Sequence, residues 1–166
     1  MKKVIALCAA AALCLSLLAA CGPKEPEEKQ VDLAAFAQTV QSSHEFSALE
    51  KADPADEELG AIMLENAYPG LKDMDLDQLE AYLPMISFSG GELALAQAKS
   101  PEDAAKVKEI FQARIEAKTT EGPGNYPEEV EMWQRSAKVV DSGSYVMLVN
   151  HQDSESIVSE FNALFK

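Results

Sequence analysis

The chain has 166 residues, 28 of them acidic and 14 basic, for a formal net charge of −14. That balance repels nucleic acid and anionic lipid headgroups, which excludes polyanion binding as an activity. The length suits one domain with a sizeable core, and only three cysteines are present to staple it.

In chain order, Lys2 and Lys3 precede an apolar stretch from Val4 to Leu18, and Ala19 and Ala20 then lead into Cys21 and Gly22. The stretch is shorter than the roughly 20 residues a membrane span needs, and its flanks fit a cleaved signal. The run Leu18-Ala19-Ala20-Cys21 resembles the lipobox of bacterial lipoprotein precursors. The resemblance implies cleavage between Ala20 and Cys21, removal of residues 1–20, and diacylglycerol on the Cys21 thiol. Two acyl chains, at about 0.8 kcal/mol per buried CH₂, hold a protein at a bilayer without other contacts. Cys8 and Cys14 would leave with the signal, so no disulfide and no cysteine-ligated metal is expected in the mature chain. Gly22 to Gln30 (GPKEPEEKQ) has no apolar residue and reads as a disordered tether. Extended, it reaches some 30 Å, which keeps the single domain at 31–166 close to its membrane.

Within that domain Asp32 caps a helix with Leu33, Phe36, Ala37 and Val40 on one side. Asp53-Pro54-Ala55-Asp56 is a second helix start, with Leu59, Ile62, Met63 and Ala67 as its stripe and Tyr68-Pro69-Gly70 as its end. Asp75 to Leu83 fits a third, short helix through Leu76, Leu79 and Leu83, stopped by Pro84. The period then changes to two. Ile86 and Phe88 alternate with serines, Gly90-Gly91 turns the chain, and Leu93 and Leu95 resume, which predicts a hairpin. Ser100-Pro101-Glu102-Asp103 opens a long helix with Ala104, Val107, Ile110, Phe111 and Ile115 buried. Thr119 to Asn125, with Gly122-Pro123-Gly124, is a loop. After Pro127 a shorter helix aligns Val130, Trp133 and Ala137. Val139-Val140, the turn Asp141 to Ser144, and Tyr145 to Val149 form a second hairpin. A last helix, capped by Asp153, buries Ile157, Val158, Phe161, Leu164 and Phe165.

Two hairpin-then-helix units in succession predict an α+β fold. Its expected form is a roughly four-stranded antiparallel sheet with helices on one face, preceded by short N-terminal helices. The segment Leu79 to Leu83, the hairpin Ile86 to Lys99 with its long helix, the Tyr126-Pro127 loop, and Ala137-Lys138-Val139-Val140 with Gly143-Ser144-Tyr145-Val146 carry a further likeness. On these the chain resembles a family of bacterial lipoproteins, frequent in Firmicutes, known only as a domain of unknown function. That resemblance implies lipoprotein status and these fold boundaries, and no reaction.

Reactive constellations are sparse. Asp73, Asp75 and Asp77 suggest the first half of a calcium loop, but Gln78 and Pro84 stand where such a loop needs glycine and glutamate. His44 and His151 are far apart in sequence and in no ligand spacing, so each is expected to be a solvated loop residue, although His151 near Asp153 could act as a base. There is no G-x-S-x-G, and Gly90-Gly91 lacks the lysine and helix of a phosphate loop. Trp133 is expected in the core, completing a helical stripe; the alternative is a binding platform exposed beside Tyr126. Glu128, Glu129 and Glu131 form an acidic face that a glycosidase would have to set across a cleft. No catalytic residue, cofactor or metal is therefore expected. The reading is a lipid-anchored, extracytoplasmic binding or scaffolding module that meets another envelope protein or wall component and no nucleic acid. The alternatives are a wall hydrolase using paired carboxylates and a calcium-binding lipoprotein.

Overall fold

A computed structural model describes residues 29–85, 91–120 and 126–166. The expected signal, the expected Ala20–Cys21 cleavage site and nearly all of the expected tether lie outside the described residues, as do positions 86–90 and 121–125. Among the described residues no helix is long and apolar enough to cross a membrane.

Helix α1 spans Leu33–Ser43, and Asp32 caps it by accepting the Ala35 N–H at 2.9 Å. Its expected stripe of Leu33, Phe36, Ala37 and Val40 is buried. A three-residue strand, β1 (Leu49–Lys51), follows; it is too short to leave a period in the sequence.

Helix α2 (Gly60–Ala67) begins later than the Asp53-Pro54 signal predicts. Residues 53–59 instead form a turn, in which the Asp56 carboxylate accepts the N–H groups of Glu58, Leu59 and Gly60. The turn lies so tightly on the helix that a Cβ at Gly60 would stand 2.3 Å from the Asp53 carbonyl oxygen. The later start rotates the buried face to Gly60, Leu64 and Ala67 and leaves Leu59 and Ile62 exposed. A 3₁₀ turn at Leu71–Asp73 leads onward.

The predicted third helix is strand β2 (Leu76–Pro84). Its pairing with β3 (Glu92–Ala98) slips between Leu76 and Gln78. A slip of one residue inverts the alternation of sides, so Leu76 joins Leu79, Ala81 and Leu83 on one face. A bulged strand thereby imitates the spacing of a helix. The first hairpin is therefore β2–β3, starting ten residues before the Ile86–Phe88 arm expected for it.

Beyond β3, the expected elements are in place: α3 (Pro101–Thr119), α4 (Pro127–Ser136), β4 (Ala137–Ser142), β5 (Tyr145–Asn150) and α5 (Ser154–Ala163). Ser100 caps α3 by accepting the Asp103 N–H. Ala137, expected on the stripe of α4, opens β4 instead.

The fold is α+β, and among the described residues its sheet has five strands rather than four, in the order β1-β2-β3-β5-β4, with every neighbouring pair antiparallel. Helices cover both faces rather than one. Ala94, Ala96, Ala98, Val146 and Leu148 meet Leu64, Val107, Phe111 and Trp133 from α2, α3 and α4. On the opposite face Leu93, Leu95, Tyr145, Met147 and Val149 meet Leu33, Phe36, Val40, Ile157 and Phe161 from α1 and α5. The two hairpins thus send their following helices to opposite sides. The unbroken apolar run Tyr145 to Val149 is the sequence mark of a strand buried on both faces.

Candidate functional site

The acidic motifs do not converge. Asp73 ends the 3₁₀ turn, Asp75 pairs with Lys99 at 2.8 Å, and Asp77 is exposed on β2, so the three ring no common point. On α4, Glu128 and Glu131 face solvent while Glu129 is buried and bonds Lys118 at 2.7 Å. No facing pair of carboxylates results from this trio. Trp133 is in the core, as expected, and Tyr126, at the N-cap of the same helix, is half exposed.

Charge is buried elsewhere. Glu92, at the start of β3, is 1% exposed and accepts two bonds from Arg114 of α3, Nε at 3.0 Å and a terminal nitrogen at 2.8 Å. The Tyr68 hydroxyl donates to the same carboxylate at 2.5 Å. The guanidinium lies over the rings of Tyr68 and Trp133, 5.9 and 5.6 Å from their centroids. Burial opposes the Arg114 charge, but Glu92 outweighs it and raises the pKa further. Burial, reinforced by the Glu92 charge, pushes the Tyr68 phenol well above its ordinary range. Sequence reasoning passed over all three. The available signal was phase: Arg114 falls one turn beyond Phe111 on the buried stripe of α3, and Glu92 has the parity of Ala94, Ala96 and Ala98.

Glu129 belongs to the same end of the sheet. One of its oxygens meets Lys118; the other, Oε2, is buried without a hydrogen-bond partner among the described residues. Beside it opens a cleft of about 450 Å³ lined by Tyr126, Pro127, Glu128, Glu129 and Met132. Such a cleft is within the range of small-ligand sites: an apolar wall with one fixed polar group.

Both histidines leave the solvent and come together. His44 follows α1 and has a side chain 10% exposed; His151 follows β5 and is 5% exposed. The expectation of solvated loop residues fails because α1 and α5 lie side by side on one sheet face. His44 Nε2 meets Glu160 Oε1 at 3.0 Å, and its Nδ1 meets Asp153 Oδ2 at 3.3 Å. His151 Nε2 donates to the Glu45 carbonyl at 3.2 Å, and its Nδ1 accepts the Asp153 N–H at 3.1 Å. Phe46 packs on the His151 ring, with centroids 4.3 Å apart. Burial by itself lowers the His44 pKa, yet Glu160 and Asp153 overcome it and raise the value. Asp153 stands at the N-cap of α5, as expected, but its side chain caps nothing and turns to the histidines.

A family profile described as "Domain of unknown function (DUF4358)" matches residues 53–151. No curated protein and no solved structure matches the chain.

Proposed function

The chain belongs to the DUF4358 family, which carries no assigned activity, and from that premise we propose a lipid-anchored, extracytoplasmic binding module. Cys21 bears the lipid after cleavage behind Ala20, in the manner of the Firmicutes lipoproteins that the sequence resembles. The tether up to Gln30 keeps the domain near the membrane, where its partner is another envelope protein or a wall component. It binds and scaffolds rather than catalyses.

The observation that carries this reading is the cleft beside Tyr126. Its apolar wall of Tyr126, Pro127 and Met132 surrounds the buried Glu129, whose Oε2 has no partner among the described residues. A buried acceptor left unsatisfied costs about 1–3 kcal/mol, and a ligand that supplies a cationic or N–H group recovers it. The strongly acidic chain favours the same kind of ligand.

The test is a photo-reactive side chain placed at Tyr126 in intact cells. It is expected to capture one reproducible envelope partner, with Glu129→Gln reducing the yield severalfold. In parallel, Cys21→Ala is expected to abolish acyl labelling and release the protein from the membrane fraction. An empty cross-link at normal expression removes the binding reading; continued acyl labelling of Cys21→Ala removes the anchor.

A further inference from the structure

We propose that His44 Nδ1, His151 Nδ1 and a carboxylate oxygen of Asp153 form a binding site for a divalent transition-metal cation of the zinc type. The site is independent of the cleft at Tyr126 and of the lipid anchor. Among the described residues, these three side chains form a group whose ligand atoms all lie within 4.8 Å of one another.

The tautomers carry the argument. His44 Nε2 is held by the Glu160 carboxylate and His151 Nε2 by the Glu45 carbonyl, both of which are acceptors. His151 therefore keeps its N–H on Nε2, and its Nδ1, which accepts the Asp153 N–H, stands 3.9 Å from Asp153 Oδ2. His44 lies between two acceptors, so its Nδ1, 3.3 Å from Asp153 Oδ2, shares a cation with that carboxylate. A lone pair facing a carboxylate oxygen is repulsive unless a cation stands between them, either a proton or a metal. A carboxylate or carbonyl behind each imidazole is also the outer shell that orients histidine ligands in metal sites. Glu160 fills that position for His44, and it is steadied by the Ser156 hydroxyl at 3.3 Å.

Size and donor type select the metal. Zinc–nitrogen bonds of about 2.0–2.1 Å put tetrahedral ligands ~3.3 Å apart. The His44–Asp153 spacing already has that value, and His151 must close by roughly half an ångström on Asp153. The Asp153 N–H now occupies the His151 lone pair, so loading exchanges that hydrogen bond for the metal bond. Asp153, 49% exposed, is the open side through which the ion enters and a water completes the tetrahedron. Calcium requires six or more oxygens and magnesium strongly prefers oxygen, so two imidazoles exclude both.

Calorimetric titration of the full chain, stripped with chelator, with zinc chloride at neutral pH tests the site. One tight equivalent is expected, with calcium and magnesium chloride silent and cobalt(II) giving a tetrahedral absorption spectrum. His44→Gln and Asp153→Asn are expected to lose that equivalent. Glu160→Gln, which alters only the orienting shell, is expected to weaken it 10- to 100-fold. Glu102→Gln, exposed on α3, is expected to leave it unchanged. Asp153 is a surface side chain, so its variant remains folded even if His44→Gln does not. No zinc binding tighter than about millimolar, or binding equally tight in Asp153→Asn, overturns the proposal and leaves a proton as the bridging cation.

Discussion

A guanidinium taken out of water loses several kcal/mol of hydration, which only good geometry restores. Arg114 has that geometry: two bonds to Glu92, with Tyr68 and Trp133 rings under the cation. Removing the cation alone leaves the Glu92 carboxylate buried against the core. Arg114→Met is therefore expected to cost about 3–5 kcal/mol, read as a lower midpoint in urea unfolding. Adding Glu92→Met to it should restore much of the loss, since the charge and its partner then leave together. A single variant costing under about 1 kcal/mol would contradict a pair that matters to the core. Residue-level signals in the sequence were uneven. Capping residues such as Asp32 and Ser100 act within a few positions and were legible. The partnership of Glu92 with Arg114, and of His44 with His151, depends on which elements touch, and no local spacing records it.

At the scale of elements, legibility followed periodicity. Helices α1, α3, α4 and α5 carry an unbroken helical period, and the β4–β5 hairpin shows two apolar runs on either side of a clear turn, so these are legible in the sequence. Strand β1 is too short to show one, and the bulge in β2 converts a strand's alternation into a helical spacing. Helix α2 was displaced because Asp53 and Asp56 shape the turn before it rather than its first turn. The Gly60, Leu59 and Glu58 N–H groups hold the Asp56 pKa below its usual 3.8. A lowered folded pKa contributes stability above the unfolded value and loses it as pH falls through the folded one. Asp56→Asn is accordingly expected to melt below the wild type at pH 7, with the gap closing once pH drops below about 3.8. Melting temperatures across that range check it; a gap that does not change with pH would sink the assignment.

For the whole molecule, the decisive feature is a sheet covered on both sides. The family match ends at His151 and starts at Asp53, so it leaves out α1, β1 and α5. Of these, α1 and α5 are the helices over Leu93, Leu95, Tyr145, Met147 and Val149. A fragment of residues 53–151 thus bares a contiguous apolar face, the condition under which chains associate. It is expected to aggregate or bind a hydrophobic dye strongly, whereas the domain from residue 29 to 166 is expected to stay soluble and dye-silent. A soluble, dye-silent monomer of 53–151 would show that the second layer is dispensable. One-sided cover was a reasonable sequence reading of two hairpin–helix units, but the side each helix takes is set by the strand parity it packs on.

The way the chain enters this domain has a mechanical consequence. The Val31 N–H donates to the Tyr145 hydroxyl, its carbonyl accepts from Gln78 Nε2, and the Leu33 N–H donates to Gln78 Oε1. Tyr145 and Gln78 project from β5 and β2, the strands that flank β3 at the centre of the sheet. A pull arriving from the N-terminal side is therefore shared between two interior strands before it reaches α1. The first turn of that helix is shielded from peeling until three bonds break together, so tension on the chain meets a latch at Val31 rather than a fraying end.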